Sequence, residues 1–126
     1  MSQVDFFASF AHLAGQHGPY PVTASDSEDM SAALLGKSDK GRDLMLEESF
    51  TMAIREGYWK YIEPVSKKTP DWLKNKDVPT GLQSAAQLYN LEDDPQEKYN
   101  LVDKFPQRAK ALKEKLKLIK TEKSRQ

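Results

Sequence analysis

Apolar residues recur along this chain with two different periods. Residues 44–62, LMLEESFTMAIREGYWKYI, hold three short apolar or aromatic runs: Leu44 to Leu46, Phe50 to Ile54 and Tyr58 to Ile62. Runs of this length, rich in β-branched and aromatic residues, predict strands on a pleated, half-buried surface. Gly57 can take a positive φ without steric penalty, so Arg55-Glu56-Gly57-Tyr58 predicts a tight hairpin turn. Alternation then sends Trp59 and Tyr61 to one face and Tyr58, Lys60 and Ile62 to the other. Ala86 to Leu91 predicts a further strand that completes an antiparallel sheet of about four.

Helical periodicity flanks this stretch. Val4, Phe7, Phe10, Ala11 and Ala14 follow the i, i+3, i+4, i+7 rule, with Ser2 as an N-cap, Asp5 near the positive end of the macrodipole and Gly15 as the stop. Phe6 and Leu13 lie off that stripe, so the helix is apolar on more than one face; a terminal helix packed on the local core is the reading preferred, and the alternative is that part of its surface meets a larger domain. Gly18, Pro19 and Pro21 mark an extended connector. Ser25 with Glu28, or Ser27 one register later, predicts the start of a short helix that turns Met30, Ala33 and Leu34 inward and ends at Gly36. Pro106 opens a C-terminal helix whose stripe is Ala109, Leu112, Leu116 and Ile119, and the last residues are expected to fray. The pattern as a whole predicts an α+β fold: a small antiparallel sheet packed against a C-terminal helix, with short helices at the N-terminal end.

At 126 residues and 38% apolar, the chain has single-domain length and a modest core. Its 19 basic and 19 acidic residues cancel, which removes any global-charge argument for nucleic acid. The ends differ: residues 1–40 hold five acids and two bases, residues 104–126 nine bases and two acids. The basic residues of the C-terminal helix read as a solvated face rather than a membrane or nucleic-acid surface, since lysine is a good helix former and cations suit a helix C-terminus. Without cysteine there is neither a disulfide nor thiol chemistry. No run reaches the ~20 apolar residues of a membrane span. Residues 1–15 lack a basic leader and include Asp5, so a signal peptide is not expected.

Two segments carry a resemblance. Ala53, Arg55, Gly57, Trp59 and Lys60 are followed, after an insert, by Leu88, Tyr89, Leu91, Asp94, Pro95, Glu97, Asn100 and Leu101, and then by a terminal helix. This order resembles the C-terminal subdomain of the sulfatase (arylsulfatase) family, in which an A-x-R-x-G-x-W-K hairpin precedes an LY-x-L-x-x-DP-x-E-x-x-NL segment. Upstream, VDFFASFAHLAG and DSEDMSAALLGK resemble the end of that family's catalytic domain. The resemblance divides the chain into residues 1–40, the end of the catalytic domain plus a connector, and residues 41–126, the C-terminal subdomain. It implies a periplasmic or secreted parent that hydrolyses sulfate esters with formylglycine, made from Cys or Ser in C/S-x-P/A-x-R, beside a divalent cation, usually calcium. Neither that motif nor the family's metal-binding aspartates have a counterpart here, so no catalytic, cofactor or metal residue is assigned in this chain. The partner implied is the N-terminal catalytic domain; a homodimer through the apolar first helix is a second expectation.

Other chemistry-bearing residues read as structural. His12 and His17 are five apart with Gly15 between them, which gives no shared helix face. Glu47 and Glu48 are adjacent on a strand and point to opposite faces. Glu92 to Pro95 lacks the alternating ligands of a calcium loop and is explained by turn chemistry. In the family the strand leading into the hairpin can lie near the substrate pocket, which makes Glu48, Ser49 and Arg55 candidates for contacts at a substrate entrance. Trp72 is a fourth: beside Lys67, Lys68, Lys74 and Lys76 it can form an aromatic and basic surface for a sulfated sugar, although an anchor pinning the insert to the core is the reading preferred. Two functions result. One is an inert C-terminal piece of a sulfatase that stabilises the catalytic domain and shapes its entrance. The other is an independent module that binds an anionic polymer through the basic helix and the Trp72 loop.

Overall fold

The computed structural model describes residues 2–66, 70–73 and 81–123. The chain divides into two compact units, Met1–Asp43 and Leu44–Gln126.

In the second unit, β1 (Leu44–Glu48), β2 (Met52–Glu56), β3 (Trp59–Ile62) and β4 (Gln87–Asn90) form an antiparallel sheet in sequence order. Gly57 has φ +57°, as the first central residue of a II′-type hairpin turn requires. The turn closes between Glu56 and Trp59, one residue later than the sequence predicts, because β2 extends through Glu56. This register places Leu46, Ile54, Tyr61 and Leu88 side by side on one face. They pack against Ala109, Leu112 and Leu116 of α3 (Pro106–Lys123), the stripe expected from its period. Lys115 pairs with Glu56, and Lys120 Nζ lies 2.8 Å from Glu63 Oε2, tying the helix to β2 and to the end of β3. The Arg108 guanidinium sits 4.7 Å from the Trp59 ring centroid, and the Phe105 ring meets Trp59 edge-on at 5.2 Å.

The outer edge of β4 is satisfied by the chain that follows it. Asn100 Oδ1 accepts from Leu88 N at 3.0 Å, its Nδ2 donates to Ala86 O at 3.1 Å, and Leu101 N donates to Leu88 O at 2.8 Å. Together they do the work of a neighbouring strand. Asp94 Oδ2 accepts from Tyr99 N at 2.8 Å, the turn chemistry expected of this acidic run. That hydrogen bond, foremost, holds the Asp94 carboxyl below the usual carboxylate range.

In the insert, Leu73 is 5% exposed whereas Trp72 is 63% exposed with its ring 6.2 Å from that of Phe50. The anchor is therefore Leu73, not Trp72. The flanking Lys67, Lys68, Lys74 and Lys76 lie outside the described residues, as do residues 124–126 of the expected frayed end.

In the first unit, α1 (Asp5–Leu13) packs on α2 (Ser31–Leu34). The expected burial of α1 is inverted. Asp5, Ala8 and Ser9 are its buried residues, while Val4, Phe7 and Phe10 of the predicted stripe are exposed. The reason is a hydrogen-bonded interior. Asp5 accepts from Ser2 N (2.7 Å) and Glu28 N (3.2 Å), and Arg42 Nη1 lies 3.1 Å from its Oδ1. Arg42 also reaches Glu28 Oε1 and the Asp26 carbonyl. Ser9 Oγ accepts from Met30 N and Ser27 Oγ from Ala8 N, each at 2.9 Å. Ser2 thus gives a backbone N–H to Asp5 and does not cap α1 with its hydroxyl. Ser27 is spent on α1, and Asp29 Oδ1, accepting from Ser31 N at 2.9 Å, starts α2.

Replacing Asn100 by Ala leaves the Leu88 N–H and the Ala86 carbonyl without their side-chain partner. A loss of about 1–3 kcal/mol is expected in urea unfolding, whereas an unchanged midpoint would show that solvent satisfies this edge equally well.

Candidate functional site

Strand alternation that sends Ile54, Tyr61 and Leu88 to α3 sends Glu47, Ala53, Lys60, Ile62, Gln87 and Tyr89 to the other face of the sheet. There they line a cleft of about 530 Å³ together with residues 81–83, residues 95–97, Ser49 and Thr51. Its floor is apolar: Ala53, Ile62 and Tyr89 form a small buried cluster with Leu91 against it.

Charge in the cleft is concentrated on one ammonium and two carboxylates. Lys60 Nζ lies 2.9 Å from Glu47 Oε2 and 2.8 Å from Glu97 Oε1. Burial by itself lowers the Lys60 pKa, but the hydrogen bonds and charges of Glu97 and Glu47 outweigh it and leave the ammonium above its ordinary value. Glu97 reaches this position through a left-handed backbone, φ 54°, at the end of the Asp94-Pro95 turn. A second polar pair lies beside the first: Tyr89 Oη donates to Gln87 Oε1 and Gln87 Nε2 donates to Gly81 O, both at 2.9 Å. Burial, foremost, pushes the Tyr89 phenol up, so it remains a neutral donor.

The trio of Glu47, Lys60 and Glu97 carries one net negative charge and its cation is already paired with both carboxylates, so the cleft suits hydroxyl or amide groups better than a bare anion. Its lining holds no histidine or cysteine. Among the described residues no group of three or more His, Cys, Asp or Glu side chains is placed to hold a metal ion. The described lining offers groups that can bind and orient a ligand.

The four residues singled out from sequence are not gathered in one place. Ser49 lines the cleft. Arg55 shares its face but lies outside the lining; Nη1 donates to Gly57 O at 3.4 Å, and Nε is buried without a hydrogen-bond partner. Glu48 is exposed on β1 and turns to the opposite face, and Trp72 is on the insert. Lys60, Glu47, Gln87, Tyr89 and Glu97 were not singled out as site residues. Alternation with the hairpin register was signal enough for Lys60 and Glu47; Glu97 comes from a loop, which alternation does not reach.

No family model matches the chain. The N-acetylgalactosamine-6-O-sulfatase of Bacteroides thetaiotaomicron is 37% identical over 123 residues, 95% of this chain and 23% of that protein. A solved structure from work on the metabolism of multiple glycosaminoglycans by the same organism superposes with a TM-score of 0.84 at 38% identity, over 96% of this chain and 25% of the other. The chain corresponds to a C-terminal portion of a sulfatase. A 2-O GAG sulfatase structure, at 21% identity and TM-score 0.52, shares the fold. The sulfatase portion seen here spans about a quarter of the length of the relatives it matches.

Removing the ammonium in Lys60→Met leaves Glu47 and Glu97 facing one another, and a destabilisation of about 1–3 kcal/mol is expected. Because the folded Lys60 pKa is raised, its contribution is complete below the ordinary lysine value of about 10.4 and fades as pH climbs through the folded value. Thermal unfolding of wild type and variant should thus differ by a constant amount at neutral pH and converge in alkali. The Asp94 contribution has the opposite sense, present above the ordinary Asp value of about 3.9 and lost as pH falls through its lowered folded pKa.

Proposed function

We propose that this chain is the C-terminal subdomain of a sulfuric ester hydrolase, inert by itself, together with the end of the catalytic domain in residues 1–40. Its partner is the catalytic domain of the parent, which residues 41–126 stabilise and whose substrate entrance they help to form. The carrying observation is the cleft on the free face of the sheet: large enough for a sugar unit and lined, among the described residues, by hydroxyl, amide, ammonium and carboxylate groups.

In this reading the formylglycine and divalent cation, which would supply attack on sulfur and charge neutralisation at the sulfate, belong to the part of the parent outside this chain. The residues here bind and orient. Ser49 offers a hydroxyl in the lining of the cleft, and Arg55, on the same face of the sheet, carries a guanidinium that is the second contact proposed for substrate or for the catalytic domain. Glu48, on the opposite face of the sheet, and Trp72, on the insert, are not among the proposed contacts. The relative matched at 37% identity is named for N-acetylgalactosamine 6-O-sulfate, so a sulfated amino sugar is the substrate class proposed for the parent. The rival reading, a free-standing binder of anionic polymers, draws less support because Lys115 and Lys120 of α3 are engaged by Glu56 and Glu63.

The purified chain, supplied with calcium, is expected to release no sulfate from an aryl sulfate or from N-acetylgalactosamine 6-sulfate above a heat-treated blank. Turnover that follows the chain through purification would overturn its inertness. Probing a source-cell extract with an antibody against residues 44–123 should reveal a polypeptide several times larger than 14.3 kDa; a band at the chain's own size would remove the parent from the proposal. In that larger protein Arg55→Ala is expected to raise KM by about tenfold with kcat little changed, the loss of one hydrogen bond made equally in ground and transition states.

A further inference from the structure

The inverted burial of α1 singles out a surface. Its polar side is consumed inside the first unit by Asp5 and Ser9, which leaves Val4, Phe6, Phe7, Phe10 and Leu13 between 37% and 55% exposed. Phe6, Phe10 and Leu13 stand at i, i+4 and i+7, so they form one continuous stripe, with Phe7 beside it. The Phe6 and Phe10 rings stack in parallel at 5.4 Å, and Phe7 is held edge-on against Tyr20 at 5.8 Å. These side chains are already ordered against one another, and none of the five carries a charge. A helix whose hydrogen-bonding face is buried and whose aromatic face is open is half of a packing arrangement.

We infer that this aromatic face of α1 is the seam on which the remainder of the sulfatase polypeptide packs, through an apolar patch of its own. The inference rests on the sulfatase reading above and names where the two parts meet. Size decides against a second copy as the occupant. A helix of nine residues is ~14 Å long, and one face of it offers roughly 300 Å², well short of the ~800 Å² per partner of a stable interface between separate molecules. A covalently connected domain is held at millimolar effective concentration and needs no such area. The relatives supply that domain: this chain accounts for 23% and 25% of their lengths.

The test places the photo-cross-linker p-benzoylphenylalanine at Phe10, and in a control at the exposed Lys113, in the native polypeptide expressed from its own locus. The cross-linked peptides are then identified by mass spectrometry. At Phe10 the expected product joins α1 to apolar residues of the same polypeptide outside residues 1–126, and the Lys113 control gives none. A product with a second copy or an unrelated protein, or no product, overturns the seam. In parallel, Phe10→Asp is expected to leave the unfolding midpoint of the isolated chain unchanged. In the whole polypeptide the same change should raise the proteolysis rate about tenfold, and Phe10→Leu should restore it. Equal behaviour of Phe10→Asp in the two contexts also overturns the seam. If the native polypeptide lacks a C/S-x-P/A-x-R segment, the sulfatase reading fails; if it contains one and Phe10 cross-links elsewhere, only the seam fails.

Discussion

A slip of one residue in the β2–β3 hairpin would drive Lys60 into the contact with α3 and turn Tyr61 out into the cleft. Side chains alternate with a period of two, so the register set at Gly57 decides both what the core is and what the site is. The pairing Ile54 with Tyr61 and Tyr61 with Leu88 lays down the row that Ala109, Leu112 and Leu116 cover. The row beside it, from Arg55 to Lys60 to Tyr89, is placed on the open face by the same hydrogen bonds. Burying a charged Lys60 under the helix would be far more costly than any gain from a slipped alignment, which is why one register prevails.

The segment after β4 couples the stability of the sheet to the chemistry of the cleft. Asn100 and Leu101 complete the edge of β4 in place of a fifth strand, and Asp94 holds the turn that precedes them. Between these two fixed points Glu97 adopts its left-handed backbone and reaches Lys60 across 37 residues of sequence. The clamp on Lys60 is thus built from the same segment that completes the edge of the sheet. A site of this kind selects shape and hydrogen-bonding pattern.

The first unit is organised by the opposite logic. Its interior is a set of charge-assisted and hydroxyl hydrogen bonds centred on Asp5, Arg42, Ser9 and Ser27, with Ala8 as the small residue that lets the segments approach. Such an interior holds one geometry well because each buried donor and acceptor is paired only there. It also leaves the aromatic residues of α1 on the outside.

The sequence alone determined the period of each element: three strands around Gly57, a fourth at Leu88 and Tyr89, and a terminal helix with its stripe at Ala109, Leu112, Leu116 and Ile119. Those signals are local, because alternation and the 3.6-residue repeat are written in consecutive residues. The motif order from Ala53 to Leu101 likewise carried the resemblance to sulfatases without any structure. Tertiary structure alone decided which face of α1 is buried, since a stripe of phenylalanines says only that it must be covered, not by what. It decided that Leu73 and not Trp72 anchors the insert, and that Ser27 serves α1 and leaves Asp29 to start α2. It also brought Glu97 to Lys60. In each case the partner lies far away in sequence, and a hydrogen bond or a packing contact between distant segments leaves no periodic trace in either of them.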